Sequence, residues 1–140
     1  MNRLSSLVLI GAFAALTSTV LAQDAGKSVS AAYGKWDAAF NKADPKAVAA
    51  AYSKDALILP PSHEVLEGQP GAEKFFSGLF SSGVTDHKLD LIRAVDAGDI
   101  VVATAKWSAK AKDQKAGGIA THVFRKAPDG SLVLILHTFN

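Results

Sequence analysis

The stretch from Ile100 to Lys112 alternates between apolar and polar side chains, apart from Ile100 and Val102 at its start. This pattern limits the possible folds more than any other feature. The apolar positions carry mostly small residues, and they are Val101, Ala103, Ala105, Trp107, Ala109 and Ala111. Such alternation indicates a long β-strand with one buried face. Because a flat core favours large β-branched residues, the alanines beside Trp107 predict open space above the sheet, as in the wall of a cavity.

Two further strands are predicted near the end of the chain, and each carries one histidine. Residues 119–126 and 132–139 are the two predicted strands, and they flank the turn sequence Ala-Pro-Asp-Gly at positions 127–130. With a four-residue loop, His122 would face Ile135 on the neighbouring strand. His122 and His137 would then be diagonal neighbours on one face, together with Phe124 and Phe139.

The first half of the chain predicts helices. A helix from Ser28 to Asn41 has an apolar stripe that includes Trp36. A second helix starts at Asp44-Pro45 and runs to about Tyr52. A third helix starts near Pro70 and carries four large apolar residues, so we expect it to form a lid across a sheet; they are Phe75, Phe76, Leu79 and Phe80. Two short strands, residues 56–59 and 64–66, lie between the second and third helices, and Pro60-Pro61 separates them.

Residues 1–22 have the pattern of a secretory signal peptide. Arg3 precedes an apolar run from Leu7 to Leu16, and Val20-Leu21-Ala22 offers small residues at the cleavage positions. A membrane anchor is the alternative, but the apolar run is shorter than the ~20 residues that span a bilayer. We therefore expect a single domain over residues 23–140 in a periplasmic or secreted protein, with no membrane attachment after cleavage.

Composition excludes several kinds of site. The chain has no cysteine, so disulfides and cysteine-ligated metals are excluded. The 15 basic and 13 acidic residues are interspersed, and this argues against nucleic-acid binding, which requires a clustered basic face. The sequence also lacks a phosphate-binding glycine loop and a dinucleotide fingerprint, so we predict no cofactor.

Four stretches of the sequence carry a family resemblance, and they are Trp36–Asp44, Tyr52–Pro61, Glu67–Gly68 and His137–Asn140. They resemble the SnoaL-like and ketosteroid-isomerase-like branch of the nuclear transport factor 2-like superfamily. The resemblance implies a cone-shaped α+β fold, in which about three N-terminal helices pack in a curved antiparallel sheet around a pocket. It also implies a homodimer formed through the outer sheet. Because this superfamily includes enzymes and binding domains, the resemblance predicts fold rather than function.

The ketosteroid isomerase mechanism does not transfer to this sequence. The resemblance matches that family's aspartate base with Pro60, its oxyanion-binding tyrosine with Trp36 and its protonated aspartate with His122. Proline cannot transfer a proton, and the tryptophan ring nitrogen is not an acid. The resemblance therefore implies a pocket at these positions without the family's proton-abstracting groups.

His122 and His137 are the candidate catalytic residues, because the ordinary pKa of imidazole, near ~6.5, suits proton transfer at neutral pH. The alternative is that both are hydrogen-bonded core residues or ligand donors. A metal site would need His63 as a third ligand, and no spacing motif supports one, so we predict no metal. The remaining predicted ligand-binding residues are Trp36, Tyr52, Leu59, Pro60, His63, Phe76, Trp107, Phe124, Ile135 and Phe139.

Three functions remain open at the level of sequence. The first is binding of a small apolar or aromatic molecule in the pocket. The second is a proton-transfer enzyme of the isomerase, dehydratase or cyclase type that uses a pocket histidine. The third is a non-catalytic dimeric interaction domain whose cone is filled by its own side chains.

Overall fold

The computed structural model describes the backbone of residues 13–140 and the side chains from Asp24 onward. The elements are α1 (Phe13–Asn41), α2 (Pro45–Ala49), β1 (Tyr52–Leu59), β2 (Leu66–Glu67), α3 (Gly68–Ser81), β3 (Val84–Ala97), β4 (Ile100–Ala111), β5 (Gln114–Lys126) and β6 (Leu132–Phe139). The first part of the predicted signal peptide, residues 1–12, lies outside the described residues. Helix α1 starts well before the predicted Ser28 and continues through the predicted cleavage site. Within residues 13–140, no helix combines the length and apolar character needed to cross a membrane.

The six strands form one sheet in the order β2-β1-β6-β5-β4-β3. All neighbouring strands are antiparallel except β1 and β6, which are parallel. This confirms the predicted α+β class. Strand β5 starts at Gln114, five residues before the predicted Ile119, and the added residues pair with β4. The reversal is confined to Lys112 and Asp113.

Helix α1 packs one face against the sheet. The buried positions Val29, Tyr33, Trp36 and Phe40 recur at helical spacing, as the sequence predicts. On β4, Val101, Ala103 and Ala105 are fully buried, and the polar set faces outward. The aromatic face of α1 therefore packs against a sheet surface that β4 lines with small residues.

The segment after α1 differs from the prediction at Tyr52. The Asp44 carboxylate accepts a hydrogen bond of 3.0 Å from the Ala47 N–H, and this caps α2. Helix α2 ends at Ala49, and Tyr52 is the first residue of β1. Because Tyr52 pairs with Leu134 of β6, strand pairing replaces the last predicted helical turn.

Helix α3 begins at Gly68, two residues earlier than predicted. Gly68 has a φ of +61°, and a Cβ there would lie 2.5 Å from the Lys54 carbonyl oxygen. Only glycine fits this junction between β2 and α3. The position of the helix start directs Ala72 and Phe76 into the core.

Candidate functional site

The two candidate histidines lie directly opposite each other on β5 and β6. Their ring centroids are 4.4 Å apart, and both side chains are buried. The predicted pairing of His122 with Ile135 is wrong, because the loop from Ala127 to Ser131 has one more residue than expected. A bulge between Val123 and Phe124 shifts the register by one further residue.

The same bulge removes Ile135 from the predicted pocket. Phe124 pairs with Leu134 and Val123 with Leu136, so Ile135 is the extra residue at the bulge. Phe124 and Leu134 are both buried on the inner face. Ile135 is only half-buried and lines neither of the two cavities described below. Leu134 therefore occupies the place that the sequence assigned to Ile135.

Each of these histidines is hydrogen-bonded to a buried tyrosine. Tyr33 Oη, from α1, lies 2.8 Å from His122 Nδ1, and Tyr52 Oη, from β1, lies 2.8 Å from His137 Nδ1. Among the hydrogen bonds of residues 24–140, neither histidine Nε2 has a protein partner. Neither Nε2 is among the fully enclosed side-chain atoms without a partner, so each nitrogen keeps some accessible surface.

Burial keeps all four of these side chains neutral. Burial, with the nearby His87 as a smaller cause, lowers the pKa of His122 to about 3. Burial, followed by repulsion from His122 and His87, lowers the pKa of His137 well below its ordinary value. Burial also raises the pKa of Tyr33 and Tyr52 above the usual tyrosine value. At neutral pH, the two pairs are therefore uncharged hydrogen-bonding groups.

A third histidine, His87, was not predicted as a site residue, yet it has the only carboxylate partner found among the three. Its Nδ1 lies 2.8 Å from Asp37 Oδ1, and the other Asp37 oxygen accepts the Leu89 N–H at 2.9 Å. The His87 ring packs against both Trp36 and Phe40, with centroid distances of 4.8 and 4.6 Å. Asp37 therefore fixes the orientation of the imidazole.

A strand irregularity turns His87 inward. The pairing of β3 with β4 shifts between Thr85 and Lys88, and Asp86 adopts a φ of +54°. Such a bulge re-aims side chains, and aspartate tolerates this left-handed conformation better than most residues. As a result, His87 and Leu89 both point to the inner face.

His87, His137 and several aromatic rings surround a cavity of about 230 Å³, which we call the small cavity. Its lining is Trp36, Phe40, Phe76, Leu79, Val84, His87, Leu89, Trp107, Ala109, Ala111, Ala116, Ala120, His137 and Phe139. The predicted space above the alanines of β4 is thus present, and α3 supplies one wall. His122 is adjacent through its contact with His137 and does not itself line this cavity.

The second tryptophan, Trp107, is held at the small cavity by Asn140, the residue that follows β6. Trp107 Nε1 donates a 3.0 Å hydrogen bond to the Asn140 carbonyl oxygen. A side chain at Gly118 would collide with that oxygen, so glycine is required where the backbone passes Trp107. This arrangement positions Trp107 with its ring face parallel to His87, at a centroid distance of 6.3 Å.

A second space of about 450 Å³, which we call the large cavity, lies between α1, α2 and the β5–β6 hairpin. It is lined by Ser28, Ala31, Ala32, Tyr33, Lys35, Trp36, Ala47, Ala51, Leu89, His122, Phe124, Gly130, Ser131, Leu132 and Leu134. Trp36 and Leu89 line both cavities and form a shared wall. The large cavity extends to exposed residues of α1, such as Ser28 and Lys35.

The predicted site residues therefore fall into separate groups. Trp36, Phe76, Trp107, His137 and Phe139 line the small cavity, whereas His122 and Phe124 line the large one. Tyr52 contacts the site through His137. Sequence patterns did not identify His87 and Asp37, because the bulge that brings them together has no recognisable motif.

Three predicted pocket residues lie elsewhere. Leu59 points away from the inner face that carries Ile58, because side chains alternate along β1. Pro60 is buried beyond the strand end but lines neither cavity, and His63 is exposed in the following loop. Among the described residues, no group of three potential ligands could hold a metal ion, and His63 does not approach the other histidines.

Comparison with protein families matches residues 34–135 to the SnoaL-like domain. This chain belongs to the SnoaL-like family. A comparison with curated proteins found no match. The family assignment agrees with the resemblance seen in the sequence. It covers most of the lining of both cavities, whereas Tyr33, His137 and Phe139 lie outside the matched range.

Solved structures similar to this SnoaL-like domain share its fold. A domain of unknown function with a cystatin-like fold from Nostoc punctiforme superimposes with a TM-score of 0.73 at 12% identity, covering 84% of this chain and 76% of that chain. An NTF-2 like protein from Shewanella oneidensis gives 0.70 at 12%, covering 81% and 97%. A ketosteroid isomerase-like protein from Erwinia carotovora gives 0.66 at 20%, covering 81% and 92%. These similarities confirm the predicted nuclear transport factor 2-like fold.

Proposed function

We propose that this SnoaL-like domain binds a small, largely apolar molecule in the small cavity. The observation that carries the proposal is a space of about 230 Å³ walled by aromatic rings and alanines, with two imidazole rings as its polar groups. Ligand sites are commonly apolar with a few placed polar groups. A buried cavity of about 150 Å³ accommodates benzene, so this one suits a single ring with short substituents.

The test is to fill the cavity by mutation. Ala116 lies opposite Ala109 in the β4–β5 pair, and both line the small cavity. Ala116→Leu should weaken binding of single-ring probes such as acetophenone and ethylbenzene at least tenfold, as measured by isothermal titration calorimetry. The matched control is Ala31→Leu, which adds the same volume at an exposed position in the large cavity. Absence of probe binding to the unmodified protein, or equal losses in both variants, would contradict the proposal.

Proton transfer is the second candidate function, and the His87–Asp37 pair favours it. A carboxylate that orients an imidazole is a recurring arrangement for a general base. His122, by contrast, is a weak base because its pKa is lowered to about 3. In this function, His87 Nε2 removes a proton from a carbon next to a ligand carbonyl, the charge moves to the carbonyl oxygen, and the same nitrogen returns the proton.

Deuterium exchange tests this second function. In heavy water, the protein should accelerate deuteration of the acetophenone methyl group, as followed by proton NMR. Asp37→Asn should slow the exchange more than tenfold while acetophenone still binds. The control is Asp90→Asn, which alters an exposed carboxylate paired with Lys88. Exchange no faster than with free imidazole at equal concentration would exclude His87 as a base.

We also propose that the domain is exported after cleavage behind Ala22. Ala25 and Val29 are buried against the core, so the fold uses residues directly after the proposed cleavage site. The mass of the protein isolated from the periplasm or the culture medium should correspond to residues 23–140. A retained N-terminal segment would contradict this proposal.

A homodimer through the outer face of the sheet is a further proposal of ours. Val95 and Ile119 expose 44% and 41% of their surface on β3 and β5, and both lie on the outer face of the sheet. Light scattering after size-exclusion chromatography should give twice the chain mass, and Ile119→Lys should shift the protein towards the monomer. A monomeric unmodified protein would exclude the proposal.

A further inference from the structure

The two histidines that line the small cavity, His87 and His137, have defined and opposite hydrogen-bonding roles. His87 provides the first. Its Nδ1 is bonded to Asp37 Oδ1, and an ionised carboxylate can only accept hydrogen bonds. His87 Nδ1 must therefore carry the proton. In the neutral ring, Nε2 is then an acceptor with a free lone pair.

His137 provides the opposite role, and Tyr52 determines it. The Tyr52 hydroxyl is enclosed, and within the described residues His137 Nδ1 is its only side-chain hydrogen-bond partner. A hydroxyl group has one proton to donate, and leaving that proton unpaired inside the core is unfavourable. The proton of Tyr52 must therefore point to Nδ1, which leaves the His137 proton on Nε2.

Trp36 supports the same arrangement. Its Nε1–H is buried and lacks a hydrogen-bond partner. It lies close enough to the Tyr52 oxygen to influence that hydroxyl, although the contact falls short of hydrogen-bond geometry. An indole N–H can only donate. It therefore favours the orientation in which the Tyr52 oxygen lone pair faces Trp36 and the Tyr52 proton points to His137.

We propose that the small cavity selects a single-ring ligand that presents an acceptor oxygen to His137 Nε2–H and a hydroxyl or acidic C–H group to His87 Nε2. Tyr52 is the positioning residue, because it determines which nitrogen of His137 carries the proton. The inference rests on the proposed binding function for its ligand, whereas the protonation pattern belongs to the protein alone. A carbonyl compound with a phenolic hydroxyl across the ring has the required chemistry.

The protonation pattern can be measured without a ligand. Long-range proton–nitrogen correlation NMR spectra distinguish the two neutral forms of histidine. In the unmodified protein, we expect His137 to carry its proton on Nε2 and His87 to carry its proton on Nδ1. A spectrum with the His137 proton on Nδ1 would overturn the inference, whether or not any compound binds.

Ligand selectivity is the second measurement. Acetophenone, which has an acceptor oxygen, should bind about three- to tenfold more tightly than ethylbenzene, which has none, as expected for one neutral hydrogen bond. Para-hydroxyacetophenone should gain a similar factor over acetophenone through its hydroxyl group. Equal binding of acetophenone and ethylbenzene would overturn the inference.

Tyr52→Phe and Tyr33→Phe form a matched pair. In Tyr52→Phe, His137 should populate both neutral forms, and the preference for acetophenone should fall below about twofold. In Tyr33→Phe, which changes the partner of His122 at the other cavity, both the His137 signal and the preference should persist. If no probe binds but the protonation pattern is as expected, the binding function is wrong, whereas the assignment of the protons on His87 and His137 stands.

Discussion

The small and large cavities share a wall but differ in what surrounds their histidines. Trp36 and Leu89 separate them, and each contains one member of the His122–His137 pair. The large cavity reaches exposed residues of α1, so water can satisfy its polar groups. The small cavity is lined by rings and alanines, and it adds a histidine held by Asp37. The apolar lining and the carboxylate, rather than volume, make the smaller space the better candidate site.

The largest difference between the two cavities should appear in packing. Phe76 is almost fully buried and meets the rings of Trp36 and Phe40 edge-on, at centroid distances of 5.3 and 6.1 Å. Phe76→Ala should lower the free energy of unfolding by about 3–5 kcal/mol. Leu132→Ala, at the half-buried lining of the large cavity, should cost less than about 2 kcal/mol. Urea unfolding measures both, and equal losses would contradict the comparison.

Acid should destabilise both cavities through their histidines. Because burial depresses the pKa of His122 to about 3, the unfolded chain binds a proton that the folded chain excludes between pH 3 and 6.5. Stability is therefore complete above about pH 6.5 and is lost as the pH falls. At pH 5, the loss should be about 2 kcal/mol for His122, with a further loss from His137.

Urea unfolding at a series of pH values tests this expectation. His122→Gln should reduce the pH dependence without abolishing it, because His137 has a pKa depressed in the same direction. A free energy of unfolding that stays constant between pH 7.5 and pH 5 would mean that the buried rings accept protons in the folded protein.

The two tyrosines should differ in their contribution to stability. Tyr52→Phe leaves the buried His137 Nδ1 without its partner, and this should lower the free energy of unfolding by about 1–3 kcal/mol. Tyr33→Phe removes the equivalent bond to His122 at the large cavity, where water can replace the hydroxyl. This change should cost about 1 kcal/mol or less. Thermal or urea unfolding gives both values, and the reverse order would show that the large cavity is the drier one.

The smallest predicted difference involves two aspartates. Asp37→Asn replaces the charged acceptor of both His87 Nδ1 and the Leu89 N–H, and should lower the free energy of unfolding by about 1–2 kcal/mol. Asp90→Asn removes an exposed pair with Lys88 and should leave the unfolding midpoint unchanged, because water screens such pairs. A neutral Asp37→Asn variant would indicate that the carboxylate contributes little to the positioning of His87.

Local sequence patterns predicted much of this fold because those patterns are short-range. The stripe of Trp36 and Phe40 indicated the buried face of α1, and the alternation around Trp107 indicated both a strand and the space above it. The common face of His122 and His137 also followed from alternation. Their exact partners did not, because a five-residue loop and a bulge depend on backbone geometry that composition does not reveal.

The His87–Asp37 pair shows where sequence reasoning fails in physical terms. The two residues are 50 positions apart, and each taken alone has the ordinary appearance of a solvated side chain. Their meeting requires the left-handed backbone at Asp86 and the register shift in β3. Helix α1 was similarly predicted to start too late, because the pattern of the first residues was assigned to a signal peptide.

The placement of both tryptophans has a practical consequence. The chain has two tryptophans, and Trp36 and Trp107 both line the small cavity. Intrinsic fluorescence therefore originates at the walls of this space, with no distant indole to dilute the signal. An aromatic compound that enters should quench or shift the emission, so unlabelled protein can be screened against chemical libraries in plate format.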